Sequence, residues 1–323
     1  MEKLFTSLGI ITFGITLGYV IQQLERRGTI RVPLGMLEMR KLLVKIGILG
    51  FISFSFFLAI WNLRIPDMRL MAIPFIGLGT LVLGGLVGIL SGKAMRLPGR
   101  KTGALFGCCS FTNIGAIGAL ICIVFIGEEA FALVALYKLF EETYYVIAFP
   151  IAKYYSASEE VETLPDRLKR VFTDVFVVTI LSAVGMGTLL NFSGIARPPV
   201  FATINAIIVP LGTVTVLTSI GMALRFSNVR AYIKECLTTM SVKFLIAPIA
   251  ATSVAYLLGF HTIMDGLPLK VVLVCSSMPV AFNALIPPTL YDLDLDLANS
   301  CWLASMVSLF VTLPVLYFLL QML

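Results

Sequence analysis

The chain alternates between long apolar runs and short polar connections, and the apolar runs have the length of membrane-spanning helices. A helix needs about 20 mainly apolar residues to cross the hydrocarbon core of a bilayer. The pattern predicts ten spans, at residues 4–24, 41–62, 68–92, 102–126, 129–152, 171–191, 200–224, 238–260, 269–290 and 297–321. The longest polar connection, residues 156–170, divides the chain near its middle. The predicted fold class is therefore an all-α integral membrane protein.

Composition supports this interpretation and changes nothing in it. Hydrophobic residues make up 59% of the 323 residues and charged residues only 13%, with a mean hydropathy of +0.98. A soluble domain typically carries about 25% charged residues. The first apolar run, Leu4 to Leu24, is longer than the apolar stretch of a secretory signal and has no evident cleavage site. We expect it to be the first span.

The distribution of basic residues predicts the orientation. If the N-terminus faces outward, the inner loops hold seventeen basic residues and the outer side holds five. Lysine and arginine accumulate in the loops on the cytoplasmic side of a membrane. We therefore expect a multi-pass protein of the cell membrane with both termini outside. The seventeen are Arg26, Arg27, Arg31, Arg40, Lys41, Lys93, Arg96, Arg100, Lys101, Lys153, Arg167, Lys169, Arg170, Arg225, Arg230, Lys234 and Lys243.

The two halves of the chain resemble each other at a constant offset of 167 residues. Six residues recur at that offset: Phe5, Thr6, Thr12, Gly18, Cys108 and Ser110 return as Phe172, Thr173, Thr179, Gly185, Cys275 and Ser277. Because each half holds five spans, the second copy would enter the membrane from the opposite side. Inverted repeats of this kind are typical of secondary transporters. We predict two inverted five-helix repeats, 1–155 and 171–323, joined by a cytoplasmic linker at 156–170.

The fourth and ninth spans contain the residues least suited to a continuous helix. The fourth includes CCSFTNIGAIG, from Cys108 to Gly118, and the ninth includes CSSMPVAFNALIPP, from Cys275 to Pro288. Interrupted helices at corresponding positions of two halves indicate a transporter's binding site, where half-helix N-termini suit a carboxylate. The alternative is close helix packing through small residues. The candidate substrate-binding residues are Ser110, Thr112, Asn113, Gly115, Ser277, Pro279 and Asn283.

The fifth span carries three ionisable residues in an apolar context. Lys138, Glu141 and Glu142 share one helical face at spacings of three and four. Ionisable groups in a membrane are costly and usually functional. One lysine and two glutamates leave a carboxylate in excess, which predicts a site for a coupling proton or sodium ion. The alternative is a purely structural ion pair.

Other chemistries have little support. The six cysteines and the single histidine, His261, show no metal-ligand spacing, so we expect buried thiols and no metal site. No nucleophile–base pair indicates an enzyme. The net charge of +6 is explained by topology rather than by a nucleic-acid partner. No cofactor is expected beyond the coupling ion.

The same residues resemble the auxin efflux carrier family in its short bacterial form. The resemblance rests on FTNIGAIG from Phe111 to Gly118, on SSMPVAFNALIPP with the acidic turn after it, and on the last span, ANSCWLASMVSLFVTLPVLYFLL. It implies a scaffold of spans 1, 2, 6 and 7, and a moving transport domain of spans 3–5 and 8–10 in which broken spans 4 and 9 cross. It also implies an organic anion as substrate, such as an auxin-like compound or a dicarboxylate. A homodimer through the scaffold helices is a further expectation.

Two other functions fit the same pattern. A sodium-coupled symporter of the bile-acid type has a similar fold, shared with sodium–proton antiporters, and would use Glu141 or Glu142 for sodium. A membrane receptor or regulator that kept a transporter fold would bind solute without moving it.

Overall fold

The computed structural model describes residues 2–63, 67–156, 175–222 and 229–323. Over these residues the protein is helical, and its only extended pairing is one isolated antiparallel bridge between Thr112 and Val280. Apart from Ser156, the predicted linker at 156–170 lies outside the described residues.

Among the described residues, eight α-helices precede residue 157, and short segments of other helical geometry adjoin several of them. They are α1 (Glu2–Arg26), α2 (Met36–Lys45), α3 (Ser53–Trp61), α4 (Ile73–Ala94), α5 (Gly99–Ser110), α6 (Ala119–Phe125), α7 (Glu129–Lys138) and α8 (Glu141–Tyr154). A π-helical segment, Ile46–Ile52, joins α2 to α3, and a second, Ile114–Gly118, precedes α6. A 3₁₀ turn, Met68–Ala72, leads into α4, where Pro74 occupies the first turn.

Among the described residues from 175 onward there are seven α-helices. They are α9 (Val175–Phe192), α10 (Val200–Gly221), α11 (Ile233–Ser241), α12 (Ala247–Leu257), α13 (Leu267–Ser276), α14 (Ile286–Leu290) and α15 (Leu295–Met322). The π-helical segment Val242–Ile246 joins α11 to α12, and the 3₁₀ turn Phe282–Leu285 precedes α14.

Five helical stretches of the described chain are long and apolar enough to cross a membrane. They are Met36–Trp61, Met68–Ala94, Val200–Gly221, Val229–Leu257 and Leu295–Met322. Large apolar side chains are exposed along them, among them Leu90 at 64% and Val311 at 70% exposed, as expected for helices whose outer faces meet lipid. The architecture is consistent with a multi-pass integral membrane protein. Ten spans, the inverted repeat and the orientation of the termini stay predictions.

The chain forms two compact units, each assembled from three stretches of sequence. The first unit consists of Met1–Arg64, Gly115–Ala135 and Asp174–Arg225. Within it α1 packs closely on α10, because Gly18 and Gly221 let the two backbones approach: a Cβ on either glycine would overlap a backbone oxygen of the other helix. Small residues at helix interfaces are the usual means of close packing where lipid removes the hydrophobic driving force.

The second unit consists of Ile65–Ile114, Leu136–Thr173 and Phe226–Leu323. Here α4 presents Gly84, Gly85 and Gly88 to α5, and a Cβ on Gly84 would overlap the carbonyl oxygen of Cys109. The glycine face therefore brings α4 against the last turn of α5, where the helix ends at Ser110. The position of that helix end depends on this contact.

Two glycines of α4 provide a matched test of this packing. Gly84→Ala should lower the thermal stability of the detergent-solubilised protein, because overpacking typically costs about 1–3 kcal/mol. Gly79→Ala is the control: Gly79 is exposed on the same helix and a Cβ there meets nothing within 4 Å. The melting temperatures of both variants are compared with wild type. Equal melting temperatures for the two variants would contradict the close approach of α4 and α5.

Candidate functional site

Helical geometry is lost at one place within each of predicted spans 4 and 9, and both places belong to the second unit. Helix α5 ends at Ser110, and Phe111 is extended, with φ −73° and ψ 128°. Helix α13 ends at Ser276, and Ala281 is again extended, with φ −71° and ψ 152°, before the 3₁₀ turn begins. Pro279 has no backbone N–H for a helical hydrogen bond. Both breaks fall where glycine, proline and small polar residues predicted them.

The two breaks pair with each other. The backbone N–H of Asn113 donates to the carbonyl oxygen of Pro279 at 2.9 Å, and that of Ala281 donates to the oxygen of Phe111 at 3.1 Å. Thr112 lies opposite Val280 in an antiparallel bridge, and the N–H of Val280 donates to the Ser305 hydroxyl at 3.2 Å. Backbone groups released from a helix in a membrane need such partners. We call residues 111–113 and 279–281 the paired break.

A lysine side chain is buried against the first half of the paired break. Lys243 lies in the π-helical segment Val242–Ile246 and is 1% exposed. Its ammonium group donates to the carbonyl oxygen of Ser110 at 3.0 Å and to the hydroxyl of Thr112 at 2.7 Å. The C-terminal end of a helix carries a partial negative charge that attracts cations. Lys243 thus places a positive charge at the end of α5.

Ser110 is held from a second side by hydroxyl and carbonyl groups. Its Oγ lies 2.9 Å from the carbonyl oxygen of Leu81 in α4 and 3.0 Å from the Tyr144 hydroxyl in α8. The ring of Phe111 packs edge-on against Tyr144 and Tyr145, with centroids 6.2 and 5.3 Å apart. These contacts fix the break between helices α4 and α8.

A polar chain connects the charged residues at the α7–α8 junction to the second half of the paired break. Lys138 ends α7 and Glu141 begins α8, and their Nζ and Oε2 atoms are 3.1 Å apart. The Tyr145 hydroxyl donates to Glu141 Oε1 at 3.3 Å, and Asn283 Nδ2 donates to the Tyr145 oxygen at 2.5 Å. Glu141 is 3% exposed, so this pair is removed from solvent.

The structure thus brings most of the predicted residues to one region of the second unit. Ser110, Thr112, Asn113 and Pro279 take part in the paired break or its contacts, and Asn283 joins the polar chain. Ser277 is buried, but its hydroxyl donates to the Leu273 oxygen of its own helix at 2.7 Å.

One predicted position lies in the other compact unit, and the side chain of a second lies outside the described residues. Gly115 belongs to the first compact unit, which the chain enters directly after Ile114. Glu142 follows Glu141 in α8, and its side chain lies outside the described part of the chain.

Two residues of this region were not predicted. Lys243 was counted among the basic residues of the inner loops, and that assignment is wrong: it is buried within a helix. Its place inside the apolar window at 238–260, next to Phe244 and Leu245, was the available signal. Tyr145 lies four residues after Glu141, the spacing at which helical side chains meet.

The six cysteines confirm the expectation of buried thiols. All six cysteines are free thiols with buried side chains, as predicted for small apolar residues. Within the described residues no cluster of three or more His, Cys, Asp or Glu side chains forms a metal site.

Comparison with known proteins supports a transporter. No protein-family model matches this chain. The chain is similar to an uncharacterized transporter of Methanothermobacter thermautotrophicus, with 24% identity over 248 residues, which is 76% of this chain and 77% of the relative. The similarity extends over most of both chains, so it supports membership of a transporter family as a whole rather than one shared segment. The auxin efflux carrier assignment remains a resemblance.

The buried pair of Lys138 and Glu141 can be tested with a double-mutant cycle. Glu141→Gln and Lys138→Met should each lower the melting temperature, because each removes one partner of a buried ion pair, a loss typically of about 3–5 kcal/mol. The double variant should recover much of the loss, since neither charge remains. Additive losses in the double variant would show that the two side chains do not stabilise each other.

Proposed function

We propose that the protein is a secondary transporter of a small organic anion, a carboxylate or an auxin-like compound. The observation that carries the proposal is the paired break with the Lys243 ammonium buried against it. Interrupted helices in a membrane are tolerated where they line a cavity, and in transporters they form the substrate site. A protein that only anchors itself in the membrane has no need of two interrupted helices whose interruptions meet.

The charge at this point favours an anionic substrate. Lys243 is fully buried, and its positive charge lies beside the paired break, whereas Glu141 is paired with Lys138. An anion that enters this region gains from the uncompensated positive charge, and a cation is repelled. The half-helix that follows the second break begins at Phe282, and its N-terminal N–H groups point back toward the break; such groups also attract anions.

We propose an elevator-type mechanism with alternating access. The offset of 167 residues maps Phe111–Asn113 onto residues 278–280, so the two breaks occupy equivalent positions of the proposed inverted repeats. The compact units support a division into scaffold and transport domain: spans 1, 2, 6 and 7 fall in the first, and spans 3, 8, 9 and 10 in the second. One stretch departs from this division, since Gly115–Ala135 is grouped with the first unit.

Coupling to a proton fits the polar chain from Lys138 to Asn283. Glu141 is bonded to Tyr145, and Tyr145 is bonded to Asn283 next to the paired break. A change in the protonation of Glu141 would therefore alter the hydrogen bonding of Asn283 through the Tyr145 hydroxyl. The bile-acid type of sodium symporter and a non-transporting receptor remain the alternatives, distinguished by sodium-dependent flux and by binding without flux.

The test of the proposal is ligand-dependent stability followed by flux. Benzoate, succinate and indole-3-acetate are each compared with the corresponding neutral amide at equal ionic strength. A ligand at about 100 times its Kd stabilises the native state by about 2.7 kcal/mol, which a melting curve resolves. An acid that stabilises the protein should also exchange across proteoliposomes. Stabilisation by no carboxylate, or equal stabilisation by acid and amide, would contradict an organic-anion site.

Asn283 and Ser277 offer a matched pair for the site itself. Asn283→Ala should reduce flux about 5- to 30-fold, because a polar contact in a site with few contacts is worth about 1–2 kcal/mol. Ser277→Ala should transport like wild type, since its hydroxyl is already bonded within α13. Both should retain near-normal melting temperatures. If the two variants transport equally well, the site does not include Asn283.

A further inference from the structure

The surroundings of the Lys243 ammonium are those of a small cation rather than of an ion pair. Its two hydrogen-bond acceptors, the Ser110 carbonyl oxygen and the Thr112 hydroxyl, are both uncharged. Among the described residues no carboxylate lies within ion-pair distance of it. Glu141 acts on it from farther away and is itself paired with Lys138. Cys108 and Cys109 are the other titratable side chains that face it.

Carbonyl and hydroxyl oxygens at the C-terminal end of a half-helix are the ligands that transporters use for sodium. The carbonyl of Ser110 is at the end of α5, and Thr112 lies in the extended stretch that follows. In this protein the cation bonded to both oxygens is the ammonium group of Lys243, which belongs to a neighbouring helical segment. That segment is π-helical, and π-helical turns frequently occur at functional sites because they redirect a side chain.

We infer that the ammonium group of Lys243 occupies a monovalent-cation site formed by Ser110 and Thr112, and serves there as a built-in cation. One consequence of this site rests on the proposed transport function. The protein would bind its anion without sodium. The positive charge that a sodium symporter acquires from solution would then be supplied by the chain itself.

Removal of the side chain should open the site to cations from solution. The variant is Lys243→Ala, and the probes are methylammonium, sodium and potassium chloride, each against N-methyl-D-glucamine chloride at constant ionic strength. We expect at least one of the small cations to raise the melting temperature of the variant by about 2 °C, the lower end of the shift that modest ligand stabilisation produces in domains somewhat smaller than this chain. Wild type and Lys234→Ala should show no such rise; Lys234 is an exposed lysine of α11 and serves as the matched control.

A second substitution identifies the ligands. Thr112→Val removes one acceptor, so the double variant Lys243→Ala with Thr112→Val should lose most of the cation-dependent rise. A Lys243→Ala protein that responds to no small cation, or that responds equally with and without the Thr112 hydroxyl, overturns the proposal. If the Lys243→Ala protein cannot be produced in any of these salts, the melting temperature of Lys243→Met is measured instead. Methionine keeps most of the apolar part of the side chain and removes the charge. A melting temperature equal to wild type for Lys243→Met also overturns the proposal.

The expected sodium independence of transport is measured separately, as flux. Flux of whichever carboxylate the wild type moves should be the same in sodium and in N-methyl-D-glucamine buffer, and a requirement for sodium contradicts a built-in cation. If the wild type moves no carboxylate, the proposed function fails while the cation response of Lys243→Ala still decides the cation site. The two failures are therefore distinguishable.

Discussion

The structure depends on one constraint: a polypeptide in lipid must satisfy its own backbone hydrogen bonds. Two helices of the second unit are interrupted, and each interruption releases N–H and C=O groups that no water can bind. The protein meets this cost by pairing the breaks with each other, through the bonds from Asn113 to Pro279 and from Ala281 to Phe111. The glycine face of α4, the Ser305 hydroxyl and the Lys243 ammonium then hold the paired break in place.

The paired break also explains why charge is tolerated in its neighbourhood. Lys243 would be very costly in lipid, but the end of α5 supplies a carbonyl oxygen with partial negative charge and Thr112 supplies a hydroxyl. Lys138 and Glu141 compensate each other at the junction of α7 and α8. The region therefore holds one compensated pair and one cation with uncharged partners, and under the proposed function its net positive charge favours an anionic substrate.

The polar chain and the buried lysine reach the paired break from different helices. Tyr145 and Asn283 connect Glu141 to residues next to the second break, while Lys243 contacts the end of the first. In the proposed mechanism, protonation of Glu141 and occupancy of the proposed anion site can influence each other only if both act on the paired break. Because the breaks share two backbone hydrogen bonds, a displacement of one displaces the other.

Much of this protein was determined by its sequence alone. Apolar runs of about 20 residues require membrane helices, and clusters of glycine, proline, serine and asparagine weaken the helical hydrogen bonds, so both breaks could be located before the fold was known. The sequence also placed Lys138 within reach of a glutamate, but its pairing with Glu141 across the α7–α8 junction was decided by the tertiary structure. The partner of each break, the burial of Lys243 and the bond from Tyr145 to Asn283 were decided only by the tertiary structure. Those contacts join residues more than 130 positions apart, and no local periodicity records which distant oxygen a buried ammonium will reach.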